Sequence, residues 1–317
     1  MKTLVYVGVN KGLNLEYLVR LFEFNKAYGF EPDPQMFYDA VLCLENSAKN
    51  SNLFLYNDKI PAAKFIHRGT EVLLLNCACS QFDGSATLHI TENRVATSLS
   101  KPGPDNLKLH KDSVDVIETR EVFTINLSQF LKNEKINFIN YYYSDAQGSD
   151  FTVLKTLEEN YIKQKLIGEL MIETHGNGTS LYEGLDNQAI RFDELLNENY
   201  EWTTGIISGG GIISDKSEFD FTLSEWDTYW RLRNYNRICE LRDAEQLMGK
   251  RATTLYDVAN WKSSGNINLV DKIVCSNVVQ DAVNVLNPVN ISIKQTTFDE
   301  VNGKSKINKE DFKIKII

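Results

Sequence analysis

Val5-Tyr6-Val7-Gly8-Val9-Asn10-Lys11-Gly12, followed by Phe30-Glu31-Pro32-Asp33-Pro34, decides the fold of this chain. An apolar strand runs into a Gly-x-x-x-Gly turn, a helix follows, and a second strand ends on an acid. That order opens a doubly wound α/β sheet built around an adenosine. Gly8 permits a sharp turn at the strand end, and Gly12 permits close backbone approach to a ligand. Glu31, about 20 residues on, stands where a carboxylate takes both hydroxyls of a ribose. The spacing is not G-x-G-x-x-G, and no Walker pattern is present. A nucleoside without a pyrophosphate, such as S-adenosylmethionine, fits this turn better than NAD.

Outward from this stretch, strand-like and helix-like segments alternate. The run Glu71 to Cys77 is continuously apolar, as in a strand covered on both faces. Ala86 to Thr91 alternates like an edge strand. Ile136 to Tyr143, Leu166 to Thr174 and Trp202 to Ser208 read as further strands, separated by helices near Phe151 to Glu159 and Asp186 to Asn197. The rhythm predicts a mostly parallel sheet with right-handed crossovers. From Ser224 the pattern changes. A long helix is expected to about Lys250, with Trp226, Tyr229, Trp230 and Ile238 at core-like spacing. Two strands, Val289 to Phe298 and Phe312 to Ile317, are expected to close the chain. The division is residues 1–223 as the sheet domain and 224–317 as a helical and hairpin appendage.

The 317 residues can bury a large core, and 42% hydrophobic with 24% charged residues is ordinary globular composition. A net charge of −9 disfavours nucleic acid or an anionic membrane as partner. Five cysteines without metal-ligand spacing suit a reducing compartment. Cys77 and Cys79 fall on one face of a strand as small core residues. The apolar run after Met1-Lys2 is too short for a signal peptide, and no segment approaches the ~18 apolar residues of a span. A cytoplasmic location is expected.

The order of the segments resembles the FkbM family of S-adenosylmethionine-dependent methyltransferases, many of which modify sugar hydroxyls. Gly8-Val9-Asn10-Lys11-Gly12 is similar to the family's Gly-Ala-Asn-x-Gly turn, and Phe30 to Pro34 to its Phe-Glu-Pro-x-Pro. Asn76-Cys77-Ala78 with Asp83 to Leu88 resembles Asn-Ala-Ala, Asp-Gly, Thr-Leu, and Thr97-Ser98-Leu99 a small Ser-rich loop. Asp145 to Asp150 with Val153-Leu154-Lys155 resembles Asp-x-Glu-Gly-x-Glu, x-Val-Leu-Lys. The likeness covers roughly residues 1 to 220. It implies a Rossmann-like sheet of the class I methyltransferase type carrying an α+β appendage. It also implies cofactor contacts from Gly8, Asn10, Gly12, Glu31, Asn76 and Asp145. Three segments depart from the family. Tyr6 stands where an acid helps hold the methionine amine, Tyr143-Ser144 replaces Lys-Ile, and Gln147 replaces a glutamate.

Methyl transfer is an in-line displacement that must also remove a hydroxyl proton. Asp145, Glu173 and His175 close adjacent strands, where such sheets place ligands. They can face one hydroxyl, or jointly hold a divalent ion that acidifies it. Each has a structural alternative. Gly8 and Gly12 can be turn glycines and Asn76 a strand cap. Asp145 and Asp150 can be N-caps, and His175 a solvent-facing loop residue. The leading expectation is an O-methyltransferase acting on a sugar or glycan. The alternative, motivated by Tyr6, Tyr143 and Gln147, is an inactive binding or scaffold protein. A nicotinamide enzyme comes third. A second copy of the chain or a glycosyltransferase is the expected protein partner.

Overall fold

The computed structural model describes residues 2–207 except 23, 46 and 47, and residues 212–213, 216, 225–233, 235, 289–290 and 315–316. The chain opens with β1 (Thr3–Val7), α1 (Leu13–Leu21), β2 (Lys26–Phe30) and α2 (Pro34–Glu45). A hairpin of β3 (Ala48–Tyr56) and β4 (Ile60–His67) precedes β5 (Thr70–Leu75). Then come β6 (Ala78–Ser80), β7 (Gly84–Thr91), α3 (Pro104–His110), β8 (Val116–Asn126) and α4 (Leu127–Asn133). β9 (Ile139–Ser144), α5 (Asp150–Thr156), β10 (Ile167–His175), α6 (Ala189–Leu196) and β11 (Tyr200–Ile207) complete the βα alternation. The two-residue β12 (Ile212–Ile213) and then β13 (Glu225–Leu232) follow. β14 (Val289–Asn290) and β15 (Lys315–Ile316) form a separate antiparallel pair.

The main sheet has ten strands in the order β12-β11-β13-β10-β9-β1-β2-β5-β4-β3. Its central five, β10-β9-β1-β2-β5, are parallel as expected. Antiparallel strands extend both edges, β4 and β3 on one side and β13, β11 and β12 on the other. Strand order runs one way from β1 through β2 to β5, and the other way from β9 to β10. The junction of β1 and β9 is therefore the switch point where such sheets bind ligands.

Side-chain alternation explains the two layers. Leu4, Tyr6, Val72, Leu74, Tyr141 and Tyr143 pack with Leu15 and Leu18 of α1 and Phe37, Ala40, Val41 and Leu44 of α2. Val5, Val7, Tyr28, Phe30, Leu73, Tyr142 and Leu170 pack with Phe130, Val153, Leu154, Phe192 and Leu196 of α4, α5 and α6. Period-two faces meeting helices on both sides make the sheet doubly wound. Phe130 anchors the second layer, its ring 5.6 Å from Tyr28 and 5.1 Å from Phe30, edge-on to both. A smaller sheet, β6-β8-β7, carries β7 at its edge.

The helix expected from Ser224 is instead the strand β13, paired antiparallel with β10 and β11 inside the sheet. Trp226, Tyr229 and Trp230 satisfy a helical spacing, but every residue from 226 to 230 is buried. A strand covered on both faces loses the alternation that would have announced it. Residues 225–232 thus belong to the sheet, and the boundary at 223/224 falls within it. Ile238 and the expected helix beyond residue 235 lie outside the described residues, as does most of the appendage.

Candidate functional site

A cavity of about 310 Å³ opens at the ends of β1, β2 and β9. Its lining includes Tyr6, Gly8, Asn10, Glu31, Arg94, Ser98, Asp145 and Gln147. Gly8 has φ 76°, and a Cβ there would lie 1.9 Å from the Asp145 carbonyl oxygen. Only glycine allows the turn after β1 to pass so close to the residue that follows β9. Gly8 N–H donates to the Phe30 carbonyl (2.9 Å), and Asp145 N–H donates to the Val7 carbonyl (3.0 Å). The three strand ends are thereby tied into one wall.

Glu31 is 6% exposed. Its carboxylate accepts from Asn10 N–H (2.6 Å) and from Asp33 N–H (2.9 Å), which fixes its direction. Burial pushes its pKa up to about 8, helped by the nearby Asp33 and Asp145 charges and opposed by the two backbone donors. Asp33 caps α2 through a bond from Gln35 N–H (2.8 Å), with Pro34 at the first helical position. The other Asp33 oxygen accepts from Arg94 Nη1 (2.6 Å). Arg94 comes from the loop after β7, far away in sequence, and no motif announced it. Ser98, on the same loop, donates to the Gln147 carbonyl (2.7 Å). The loop is thus fastened on both sides of the cavity.

Two expected cofactor residues stand back from the lining. A Cβ on Gly12 (φ 79°) would meet Ala40 of α2 at 2.9 Å, so the missing side chain makes room for helix packing. Asn76 donates from Nδ2 to the carbonyls of Glu31 (2.8 Å) and Pro32 (3.1 Å). It holds the acidic turn in shape. Cys77 and Cys79 are core residues that also line the cavity, with both thiols pushed up by burial.

The three residues expected to move a proton are divided. Asp145 lines the cavity; Glu173 and His175 are not part of the lining. Gln147 lies between the two carboxylates. Its Nε2 donates to Asp145 Oδ1 (2.7 Å) and to Glu173 Oε2 (3.1 Å) and Oε1 (3.2 Å). Tyr182 OH donates to Gln147 Oε1 (2.6 Å). The reverse amide orientation would set an oxygen against both carboxylates, so the network fixes the orientation. His175 is neither solvent-facing nor in the cavity. It is 1% exposed, stacked on Tyr182 at 5.9 Å, and burial pushes its pKa down to about 3. An ion shared by Asp145, Glu173 and His175 does not find its donors. Among the described residues no group of three or more His, Cys, Asp or Glu side chains is arranged to hold a metal. An NH2 group sits where a cation between the two acids would have to be.

Asp150, buried in the first turn of α5, accepts from Ser144 Oγ (2.5 Å), Ala146 N–H (2.8 Å) and Asn187 Nδ2 (3.2 Å). It shapes the loop that presents Asp145 and Gln147. Tyr6 and Tyr143 face each other across β1 and β9, ring centroids 4.1 Å apart. Two of the departures from the family pattern are therefore one aromatic pair. Asn14 Nδ2 donates to the Tyr143 hydroxyl (3.2 Å).

The family model of the methyltransferase FkbM domain matches residues 7–198. The chain belongs to the FkbM methyltransferase family. The match takes in every candidate residue of this FkbM site, from Gly8 to His175. Among solved structures, M. capricolum TrmK in complex with the natural cofactor product S-adenosyl-homocysteine is similar at 14% identity. That likeness covers 90% of this chain and 92% of the other, with a TM-score of 0.35. Streptococcus pneumoniae Sp1610 in complex with S-adenosyl-L-methionine is similar at 12% identity and a TM-score of 0.31. It covers 89% of this chain and 91% of the other. No curated protein matches the chain. Among the described residues no helix is long and apolar enough to cross a membrane.

Proposed function

We propose that the cavity holds S-adenosylmethionine and that the chain transfers its methyl group to a hydroxyl of a sugar or glycan. The observation that carries this reading is Glu31, a buried carboxylate aimed by two backbone N–H groups at the end of β2. Across the cavity stands Asp145, at the end of β9. A ribose diol presents two O–H donors, and a carboxylate at this position accepts both. The rest of the lining fits the same ligand. A volume of about 310 Å³ suits a nucleoside. Of the two cationic side chains in the lining, Lys11 is exposed and Arg94 is engaged by Asp33. Such a wall favours a cationic ligand over a pyrophosphate.

When bound, the cofactor supplies an electrophilic methyl group on a sulfonium. Asn10 and Glu31 set the ribose, and Asn76 keeps the acidic turn rigid behind them. Of the side chains first considered for proton transfer, Asp145 is the one at the cavity wall. It is assigned the acceptor proton. The loop carrying Arg94 and Ser98 forms part of the cavity wall. Delivery of the acceptor by a glycosyltransferase or a second copy of the chain, in the cytoplasm, belongs to the same proposal.

The aromatic pair Tyr6–Tyr143 favours a second reading, binding without turnover, because an acid is expected where Tyr6 stands. The test is transfer of isotopically labelled methyl from S-adenosylmethionine to a panel of mono- and oligosaccharides. Alkali-stable label in a sugar, lost on Asp145→Asn, supports O-methyl transfer. A protein that binds the cofactor and labels no acceptor supports the second reading.

A further inference from the structure

Gln147 entered as a departure from a sequence pattern, yet its side chain bonds to three other side chains at the site. Nε2 meets Asp145 at 2.7 Å and Glu173 at 3.1 and 3.2 Å, Oε1 accepts from Tyr182 at 2.6 Å, and its main-chain oxygen takes Ser98 at 2.7 Å. The backbone there is left-handed (φ 49°), unusual for a residue with a Cβ. Gly148 follows at φ 90°, where a Cβ would strike the Tyr182 ring at 2.4 Å. The turn is therefore built to bring this amide between two strand ends.

Two carboxylates that reach one nitrogen repel each other in a partly dry site, and ordinarily share a proton or a cation. A neutral amide does neither. Its two N–H bonds satisfy both acids, and the Tyr182 hydroxyl polarises the amide from the far side. We infer that Gln147 is a positioning residue: it holds Asp145 at the cavity wall and keeps Glu173, one strand over, from capturing Asp145's proton. The inference rests on the cavity being the cofactor site.

The charged and titratable groups around Gln147 come from several elements. Asp145 and Asp150 flank it on the β9–α5 connection. Glu173 and His175 lie on β10, with Asp227 and Glu225 opposite them in the β13 ladder. Tyr182 lies above, and Glu31, Asp33 and Arg94 line or fasten the far wall. A glutamate at 147 titrates together with Asp145 and Glu173, and the ratio to the native protein at each pH reads that coupled titration while the groups that do not touch residue 147 largely cancel.

The test uses the full chain with Gln147→Glu and Gln147→Met, titrated with S-adenosylmethionine and S-adenosylhomocysteine at pH 6 and pH 8. A glutamate at 147 is ionised at pH 8 and puts a third negative group against the pair. At pH 6 a coupled cluster retains a proton, and one O–H takes the place of an N–H. Q147E is expected to bind about tenfold more weakly than native at pH 8 and to recover most of that loss at pH 6. Q147M has no donor, and is expected to bind weakly at both. A Q147E-to-native ratio equal at the two pH values, or native-like binding by Q147M, overturns the inference. If the native protein binds neither ligand, the cofactor reading fails separately. The ligand-free melting difference between Q147E and native then decides for Gln147. A difference larger at pH 8 than at pH 6 supports the clamp, and an equal one overturns it.

Discussion

Gly8 and Asp145 approach so closely that a methyl group on the glycine would overlap the aspartate's carbonyl oxygen, at 1.9 Å. The first turn after β1 and the first residue after β9 are thus one piece of structure, and the cavity wall depends on their contact. Gly8→Ala is expected to destabilise the protein by at least about 2 kcal/mol, from a left-handed residue with a Cβ plus overpacking. Ligand binding should be lost as well. Chemical denaturation together with titration checks both effects.

Gly12 makes a contrasting prediction. Its missing Cβ makes room for Ala40. Gly12→Ala should cost stability on a similar scale, through strain and the α1–α2 contact. The affinity of the folded fraction for S-adenosylmethionine should change by less than about threefold, well under 1 kcal/mol. Loss of binding in a stably folded variant would return Gly12 to the ligand.

Glu31 sets a pH dependence whose sign follows from its raised pKa of about 8. The native state holds this proton more tightly than the unfolded chain does. The resulting stabilisation is present below about pH 4.5 and is lost as pH rises through 8. Native stability minus that of Glu31→Gln should therefore fall between those limits in ligand-free protein. A ribose prefers the ionised acid as acceptor, so cofactor affinity should rise toward pH 8 and then level off. Melting curves and titrations across pH 5 to 9 measure the two trends.

His175 behaves in the opposite sense. Its pKa is pushed down to about 3 by burial, so acid must force a proton into a dry site. The unfolded chain takes that proton near 6.5, and stability is lost as pH falls below it. His175→Gln should lose less stability than the native protein on acidification from pH 7 to 5. Activity should show no limb near pH 6.5 that this substitution removes.

Phe130 tests the core apart from the site. It is 4% exposed and packs edge-on against Tyr28 and Phe30. Phe130→Ala should cost about 3–5 kcal/mol, read by denaturation.

What sequence showed and what it hid divide along a physical line. Gly8 and Glu31 were legible because their roles are local: a turn after a strand, and an acid at the next strand tip. Asp145 was legible for the same reason. The β3–β4 hairpin went unread because Leu53 and Leu55 on the edge strand are exposed, which blurs the alternation a half-buried strand shows. β13 was read as a helix because burial of both faces leaves no period to choose by. Arg94 pairs with Asp33 across 61 residues, and Gln147 with Glu173 and Tyr182 across 26 and 35. No spacing rule reaches such partners. His175 looked like a loop residue beside glycines, and only the fold shows Tyr182 covering it.

The central claim is that Glu31 receives the ribose of S-adenosylmethionine in the cavity at the β1–β9 junction. Calorimetric titration of the purified chain with S-adenosylmethionine and S-adenosylhomocysteine, repeated on Glu31→Ala, tests it most directly. The account predicts binding on the order of micromolar that the substitution abolishes while the fold persists. A folded native protein that binds neither ligand, or a Glu31→Ala variant that binds as well as native, would contradict it.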